Sequence, residues 1–180
     1  IGSLYDETGK IVAFKSVYET FDNIPAANKA AYAVSFQGNP EYRTLCKEWT
    51  LGKANVNLES TVIATPGGTG AVSLGMSEFL ETGETVVIPD IAWGSYVIMA
   101  KDKQLNFTRY EMFEGDHFNL NSVKEQVNAL VGKQNRIVLV VNDPCHNPTG
   151  YTMTHEEWRE LIDYLNEVSK TTPCILLNDI

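Results

Sequence analysis

The sequence predicts an α/β domain of three layers, α/β/α, built on a largely parallel sheet. Two observations carry that prediction. From residue 55 onward, short apolar runs alternate with stretches of helical length, the rhythm of consecutive βαβ units. One of these runs, RIVLVV at 136–141, reads as a buried core strand and opens directly onto NDPCHNPTG at 142–150. In parallel sheets, ligands bind beyond the carboxyl ends of the strands.

Residues 1–10 read as a strand end and a turn, with Gly9 in YDETGK. The stretch 12–24, VAFKSVYETFDNI, has apolar residues at mixed helical spacing. GNPEYRTLCKEWTLGK at 38–53 is a clearer helix. Asn39 suits its cap, Pro40 its first turn and Gly52 its end, and Tyr42, Leu45 and Trp49 share one face. The alternation then begins with STVIAT (60–65) as a strand, GGTG, and the helix AVSLGMSEFLE (71–81). ETVVIP (84–89) is a strand, followed by DIAWGS and the helix YVIMAKDK (96–103). NFTRYEM (106–112) is a strand, followed by a loop and the helix NSVKEQVNALVG (121–132). After RIVLVV and its polar loop come the helix THEEWRELIDYLNEVSK (154–170) and a last strand, CILLND (174–179). Residues 1–54 are expected to lead into the domain formed by 55–180.

Hydrophobic residues make up 43% of the 180 residues and charged ones 21%, an ordinary globular balance. A formal net charge of −9 argues against nucleic acid or an anionic membrane as partner. No apolar run is long enough to span a bilayer. Cys46, Cys145 and Cys174 are widely spaced and form no CxxC pair. That argues against a disulfide scaffold or a zinc site and for a reducing compartment, the cytoplasm.

Four segments at strand ends carry the chemistry. PGGTGAV (66–72) offers glycines for close backbone approach, the Thr69 hydroxyl and a helix N-terminus, which together make a phosphate cradle or, more simply, a tight turn. It is not a Walker loop, because Met76 stands where the lysine belongs, and Ser73 fills the third glycine position of a GxGxxG pattern. Trp93, in AWGSY, is set either to stack on a flat ligand or to pack in the core. In HNPTG, Pro148 restricts Asn147 to extended geometry, which sets the angle of its amide for a hydrogen bond to a ring oxygen. His146 beside it is either an acid–base group or a structural residue. Asp179 ends a buried strand, where a carboxylate is costly without a cation or donor. Its partner is either the protonated ring nitrogen of a cofactor or a helix terminus.

Taken together, these segments resemble the fold-type-I pyridoxal-phosphate enzymes, and most closely the class I aminotransferases of the aspartate and aromatic amino-acid branch. The resemblance covers nearly the whole chain, as the central part of that family's large domain. It implies that Asn147 in NPTG meets the cofactor's phenolic oxygen. It also implies that Gly68, Thr69 and Gly70 hold the phosphate, Trp93 stacks on the ring and Asp179 pairs with the pyridinium nitrogen. The family's small residue before that loop, often serine, is Gly67 here. Tyr32 resembles the tyrosine that reaches across a homodimer to the partner's phosphate, and Gly2 the glycine near the substrate carboxylate. Asn142 stands where some relatives have a cofactor-side histidine, so no acid–base role passes to it. The implied reaction moves an amino group between an amino acid and a 2-oxo acid by a ping-pong route.

The main departure is a missing lysine. The family's cofactor-linking lysine and carboxylate-binding arginine lie beyond the position of Asp179, and none of the ten lysines here has the matching motif. The sequence is therefore read as a fragment, expected not to turn over by itself. Two alternatives compete: a lyase of the same fold, and a nucleotide-binding oxidoreductase using GGTG, with Asp90 holding a ribose. A third is a regulatory domain that keeps the fold without the chemistry.

Overall fold

The strands expected near 84–89, 106–112, 136–141 and 174–179 all join one parallel sheet in the computed structural model, which describes residues 3–31, 34–52 and 59–180. The chain divides into two compact units, residues 1–64 and 65–180.

The first unit contains helices α1 (Lys15–Asn23), α2 (Ala26–Ala30) and α3 (Pro40–Leu51). Asp6 closes the N-terminal turn: its Oδ1 accepts from the backbone N–H of Thr8 and Lys10, each at 2.9 Å. Asn39 caps α3, accepting from the N–H of Glu41 at 2.8 Å and of Tyr42 at 3.2 Å, and Gly52 ends the helix at φ +53°. The Tyr42, Leu45 and Trp49 side chains of α3 are exposed.

The strand expected at 60–65 does not form. Its β-branched composition suits a strand, but a strand also requires a neighbour with matching backbone groups. Here the Ala64 N–H donates to the Gln37 carbonyl at 2.9 Å, and the Val62 carbonyl accepts from Arg43 Nε at 2.8 Å. A loop and a side chain thus take the place of a ladder.

The second unit runs α4 (Gly67–Phe79), β1 (Thr85–Pro89), α5 (Ser95–Asp102), β2 (Asn106–Tyr110), the short strands β3 (Phe113–Glu114) and β4 (His117–Phe118), α6 (Leu120–Asn128), β5 (Ile137–Asn142), α7 (His155–Ser169) and β6 (Cys174–Asp179). The sheet order is β2-β1-β5-β6, every pair parallel. The hairpin of β3 and β4 was not anticipated; each strand is only two residues long, too short for a period-2 signal.

Two buried clusters make three layers. On one face, Val87, Ile137, Leu139 and Val141 meet Val123 and Val127 of α6 and Leu161 and Leu165 of α7. On the other, Val86, Ile88, Val138 and Val140 meet Val72 and Met76 of α4 and Tyr96 and Met99 of α5. Alternate residues of each inner strand serve opposite faces, so both faces must be apolar, which explains the uninterrupted IVLVV run. Gly75 lets α4 lie against β6, since a Cβ there would sit 2.8 Å from Leu177 Cδ1.

α7 starts with a capping box between Thr154 and Glu157. The Glu157 carboxylate also accepts from the Tyr151 hydroxyl at 2.6 Å and the Phe118 N–H at 2.8 Å. Burial pushes the Glu157 pKa up, but these hydrogen bonds outweigh it and hold the value down at about 2. A depressed carboxylate pKa stabilises the fold above the unfolded value of about 4.3. That contribution fades as pH falls through the folded value. Glu157→Gln is therefore expected to flatten the loss of stability between about pH 4.5 and pH 2, read from urea midpoints across that range. Equal acid sensitivity in both proteins would refute this.

Candidate active site

The topology gathers the expected site residues of the second unit at one edge of its sheet. β1 and β5 are neighbours, yet the connection after β1 runs through α5 on one face and that after β5 through α7 on the other. Their carboxyl ends thus form a topological switch point, where such folds leave a crevice. α4 runs antiparallel to the strand that follows it, so its N-terminus lies at the same edge.

That N-terminus begins at Gly67, with φ +70°, inside the segment expected to be a loop. No side chain caps it, so the first-turn N–H groups of Gly68, Thr69 and Gly70 lack partners within the helix and face outward with its positive dipole end. A Cβ at Gly70 would sit 2.7 Å from both Cγ and Cδ of Pro66. Pro66 cannot swing away as a flexible side chain would. Gly70→Ala is expected to displace this turn at a cost of about 1–3 kcal/mol, visible as a lower urea midpoint; an unchanged midpoint would show that the turn yields freely.

Trp93 precedes α5 and is partly buried, packed against the second apolar cluster. Its ring meets Tyr96 edge to face, centroids 5.9 Å apart. Tyr96 is 1% exposed and donates its hydroxyl proton to Asp179 Oδ2 at 2.6 Å. Burial first, and then the Asp179 carboxylate, push the Tyr96 pKa far above the usual phenol range. The phenol therefore stays a neutral donor. Asp179 Oδ1 has no hydrogen-bond partner among the described residues.

Asn142 links Asp179 to the polar loop. Its Nδ2 donates to the Asp179 carbonyl at 2.6 Å, and its Oδ1 accepts from the Asn147 N–H at 2.6 Å. Asn147 is exposed, and its side chain makes no hydrogen bond to the described residues. The loop is held by Gly150 N–H to the His146 carbonyl at 2.6 Å and by His146 N–H to the Tyr151 carbonyl at 2.7 Å. His146 is 2% exposed, with Nδ1 2.8 Å from Thr149 Oγ1. Its Nε2 is buried without a well-formed hydrogen bond, although the Ile91 backbone and the carboxylates of Asp143 and Asp90 stand near enough to favour its charged form. Burial outweighs them and lowers its pKa, so the ring is a neutral packing element of the turn.

Trp93, Asn147 and Asp179 are thus joined through Tyr96 and Asn142, and Gly68, Thr69 and Gly70 lie at the same edge. Gly2 and Tyr32 lie outside the described residues. The sequence reading missed Tyr96 and Asn178. The signals were present: Tyr96 follows Trp93 by three residues, the spacing of the turn that its N–H closes onto the Trp93 carbonyl at 3.2 Å, and Asn178 is a polar residue near the end of an apolar strand. The arrangement offers an anion site, a flat face, an amide and a carboxylate.

The nucleotide-binding alternative does not survive this geometry. GGTG follows no strand, and Asp90 Oδ1 accepts from the backbone N–H of Ile91 at 2.8 Å and of Met112 at 2.9 Å.

Comparison with known proteins agrees. Cytoplasmic aspartate aminotransferase of Dictyostelium discoideum is 27% identical over 172 residues, covering 93% of this chain and 39% of that protein. Aspartate aminotransferase of Escherichia coli is 26% identical over 89% of this chain and 42% of its own length. The crystal structure of an aminotransferase from Anaerococcus prevotii superposes with a TM-score of 0.93 at 32% identity, covering 99% of this chain and 44% of that one. The chain therefore spans about two fifths of the length of these curated relatives. The family model described as aminotransferase class I and II matches residues 1–172, and the chain belongs to that family.

Proposed function

We propose that the protein carrying this chain is a pyridoxal-phosphate-dependent aminotransferase. It would move an amino group between an amino acid, of the aspartate or aromatic type, and a 2-oxo acid. In this reading residues 55–180 belong to the cofactor-binding large domain and 1–54 lead into it. The observation that carries the reading is the Asp179 carboxylate: one oxygen is held by a neutral phenol and the other has no partner among the described residues. Asp179 is half-buried, as is all of β6, and not fully buried as the apolar run had implied, and a carboxylate so arranged suits a protonated ring nitrogen.

The remaining residues fit the same group. The uncapped start of α4 suits its phosphate, with Gly68, Thr69 and Gly70 supplying backbone donors and Thr69 a hydroxyl. Trp93 offers a flat face that covers one side of the ring and keeps water from it. Asn147 presents an amide to the phenolic oxygen. When bound, the cofactor supplies an electron sink for negative charge developing at the amino acid's α-carbon. Asp179 favours that sink by holding the proton on the ring nitrogen. Tyr32 and Gly2 are assigned to the partner subunit's phosphate and to the substrate carboxylate, in a cytoplasmic homodimer.

The test uses the complete protein. Purified with pyridoxal 5'-phosphate, it should bind the cofactor stoichiometrically and shift its near-visible absorbance. It should then pass the amino group of L-aspartate or L-tyrosine to a 2-oxo acid. Release of ammonia without any need for a 2-oxo acid acceptor would overturn the transferase assignment, and failure to bind the cofactor would overturn the whole reading.

A further inference from the structure

We propose that Asn142 and Asn178 are positioning residues, a pair of amide struts that hold the Asn147 loop at a fixed distance from Asp179 before any ligand arrives. The inference rests on the proposed function, because it takes Asn147 and Asp179 as the groups that meet the ligand.

The need for struts comes from the sheet. In β5 and β6 the last paired residues are Asn142 and Asp179. Beyond them the chain leaves β5 for the polar loop, and the ladder no longer fixes either strand end. The two asparagines take over. Asn142 donates to the Asp179 carbonyl and accepts from the Asn147 N–H, both at 2.6 Å. Asn178 accepts from the Asp143 N–H at 3.1 Å and donates to the Asp143 carbonyl at 2.9 Å. Its amide imitates a further strand residue and extends the ladder by one rung.

Asp143 is in turn fixed from the other side. It is 7% exposed, and its carboxylate accepts from the Met153 N–H at 2.7 Å and from Trp158 Nε1 at 2.9 Å. The start of the loop is thus tied to β6 by Asn178 and to α7 by Asp143, and Asn147 is tied back to Asn142.

The chemistry calls for asparagine at both positions. Each side chain uses its donor and its acceptor at once, and the partners fix which end is which. An aspartate keeps the acceptor but loses the donor, and would set a second negative charge close to Asp179. Asparagines that only satisfied backbone groups would stabilise the strand ends without tuning a ligand. Struts act through Asn147 and Asp179, and that difference is measurable.

The experiment uses the complete apoprotein and pyridoxal 5'-phosphate as probe, with Asn142→Ala, Asn178→Ala, Asn147→Ala, Asp179→Asn and the double variant Asn142→Ala/Asn147→Ala. Dissociation constants are read by quenching of tryptophan fluorescence, and backbone exchange at Asn147 by deuterium uptake of the cofactor-free protein. Asn142→Ala should weaken cofactor binding by about tenfold or more and speed exchange at Asn147 by a similar factor. The double variant should bind no more than about threefold more weakly than Asn147→Ala, because the two side chains work through one contact. Asn178→Ala should speed exchange at Asn147 in the same direction. Unchanged affinity in Asn142→Ala, or fully additive losses in the double variant, overturns the inference while leaving the functional reading intact. Wild-type affinity in both Asn147→Ala and Asp179→Asn overturns the functional reading itself. Should Asn142→Ala fail to fold, Asn142→Leu, which matches the amide in size but neither donates nor accepts, replaces it in the same cycle and is held to the same outcomes.

Discussion

Asp179→Asn in the complete protein is expected to lower kcat/KM for amino transfer by about a thousandfold or more, while its thermal midpoint stays within a few degrees of wild type. The two effects separate because Asp179 has two oxygens with different duties. Oδ2 accepts from the Tyr96 hydroxyl at 2.6 Å, and an asparagine oxygen still accepts there, so the buried phenol keeps its partner. The negative charge is lost, however, and nothing then holds the proton on a ring nitrogen. Asp179→Ala gives the contrast. It removes both the charge and the acceptor, leaving a hydroxyl on a residue only 1% exposed without its bond, at a further cost of about 1–3 kcal/mol. Steady-state kinetics and calorimetry on the two variants check the pair. An asparagine variant with near-wild-type turnover would remove Asp179 from the proposed chemistry.

Leu139→Ala is expected to be the most destabilising simple truncation of the core, at about 3–5 kcal/mol. Leu139 is fully buried in the middle of β5, paired with Val87 on one side and Leu176 on the other. Its side chain joins the cluster shared with α6 and α7. The neighbours belong to two strands and two helices fixed by other contacts, so the cavity cannot close fully. Against a typical total of about 5–15 kcal/mol, such a loss removes a large share of stability. Urea unfolding followed by circular dichroism reads the shift; a change below about 1 kcal/mol would mean that the core collapses around the gap.

The parallel core was legible because its cause is local. Val86, Val87, Ile88 and 137–141 are apolar on both faces, and only a strand covered on both sides tolerates that. The cap of α3 was legible for the same reason, since Asn39, Pro40 and Gly52 act within a turn of their own position. The segment 60–65 misled because its Thr, Val and Ile residues report a preference for extended backbone and say nothing about a partner edge. The start of α4 was misjudged because three glycines in GGTG read as a loop, while here they form the first helical turn. At the candidate site, the residues with a distinctive neighbourhood, Asn147 before a proline and Asp179 after an apolar run, stood out in the sequence. Those that connect them did not. Tyr96 meets Asp179 across 83 positions and Asn142 meets it across 37, and no one-dimensional pattern encodes such pairings.

The strand order β2-β1-β5-β6 also sets a timetable. A ribosome delivers β1 and β2 first, and these close neighbours zip together with little loop to arrange. β5 then adds to the open side of β1, and β6 adds last of the four. Asp179 is the final residue of β6, so a nascent chain lacks the carboxylate of the candidate site until β1, β2 and β5 have all been laid down.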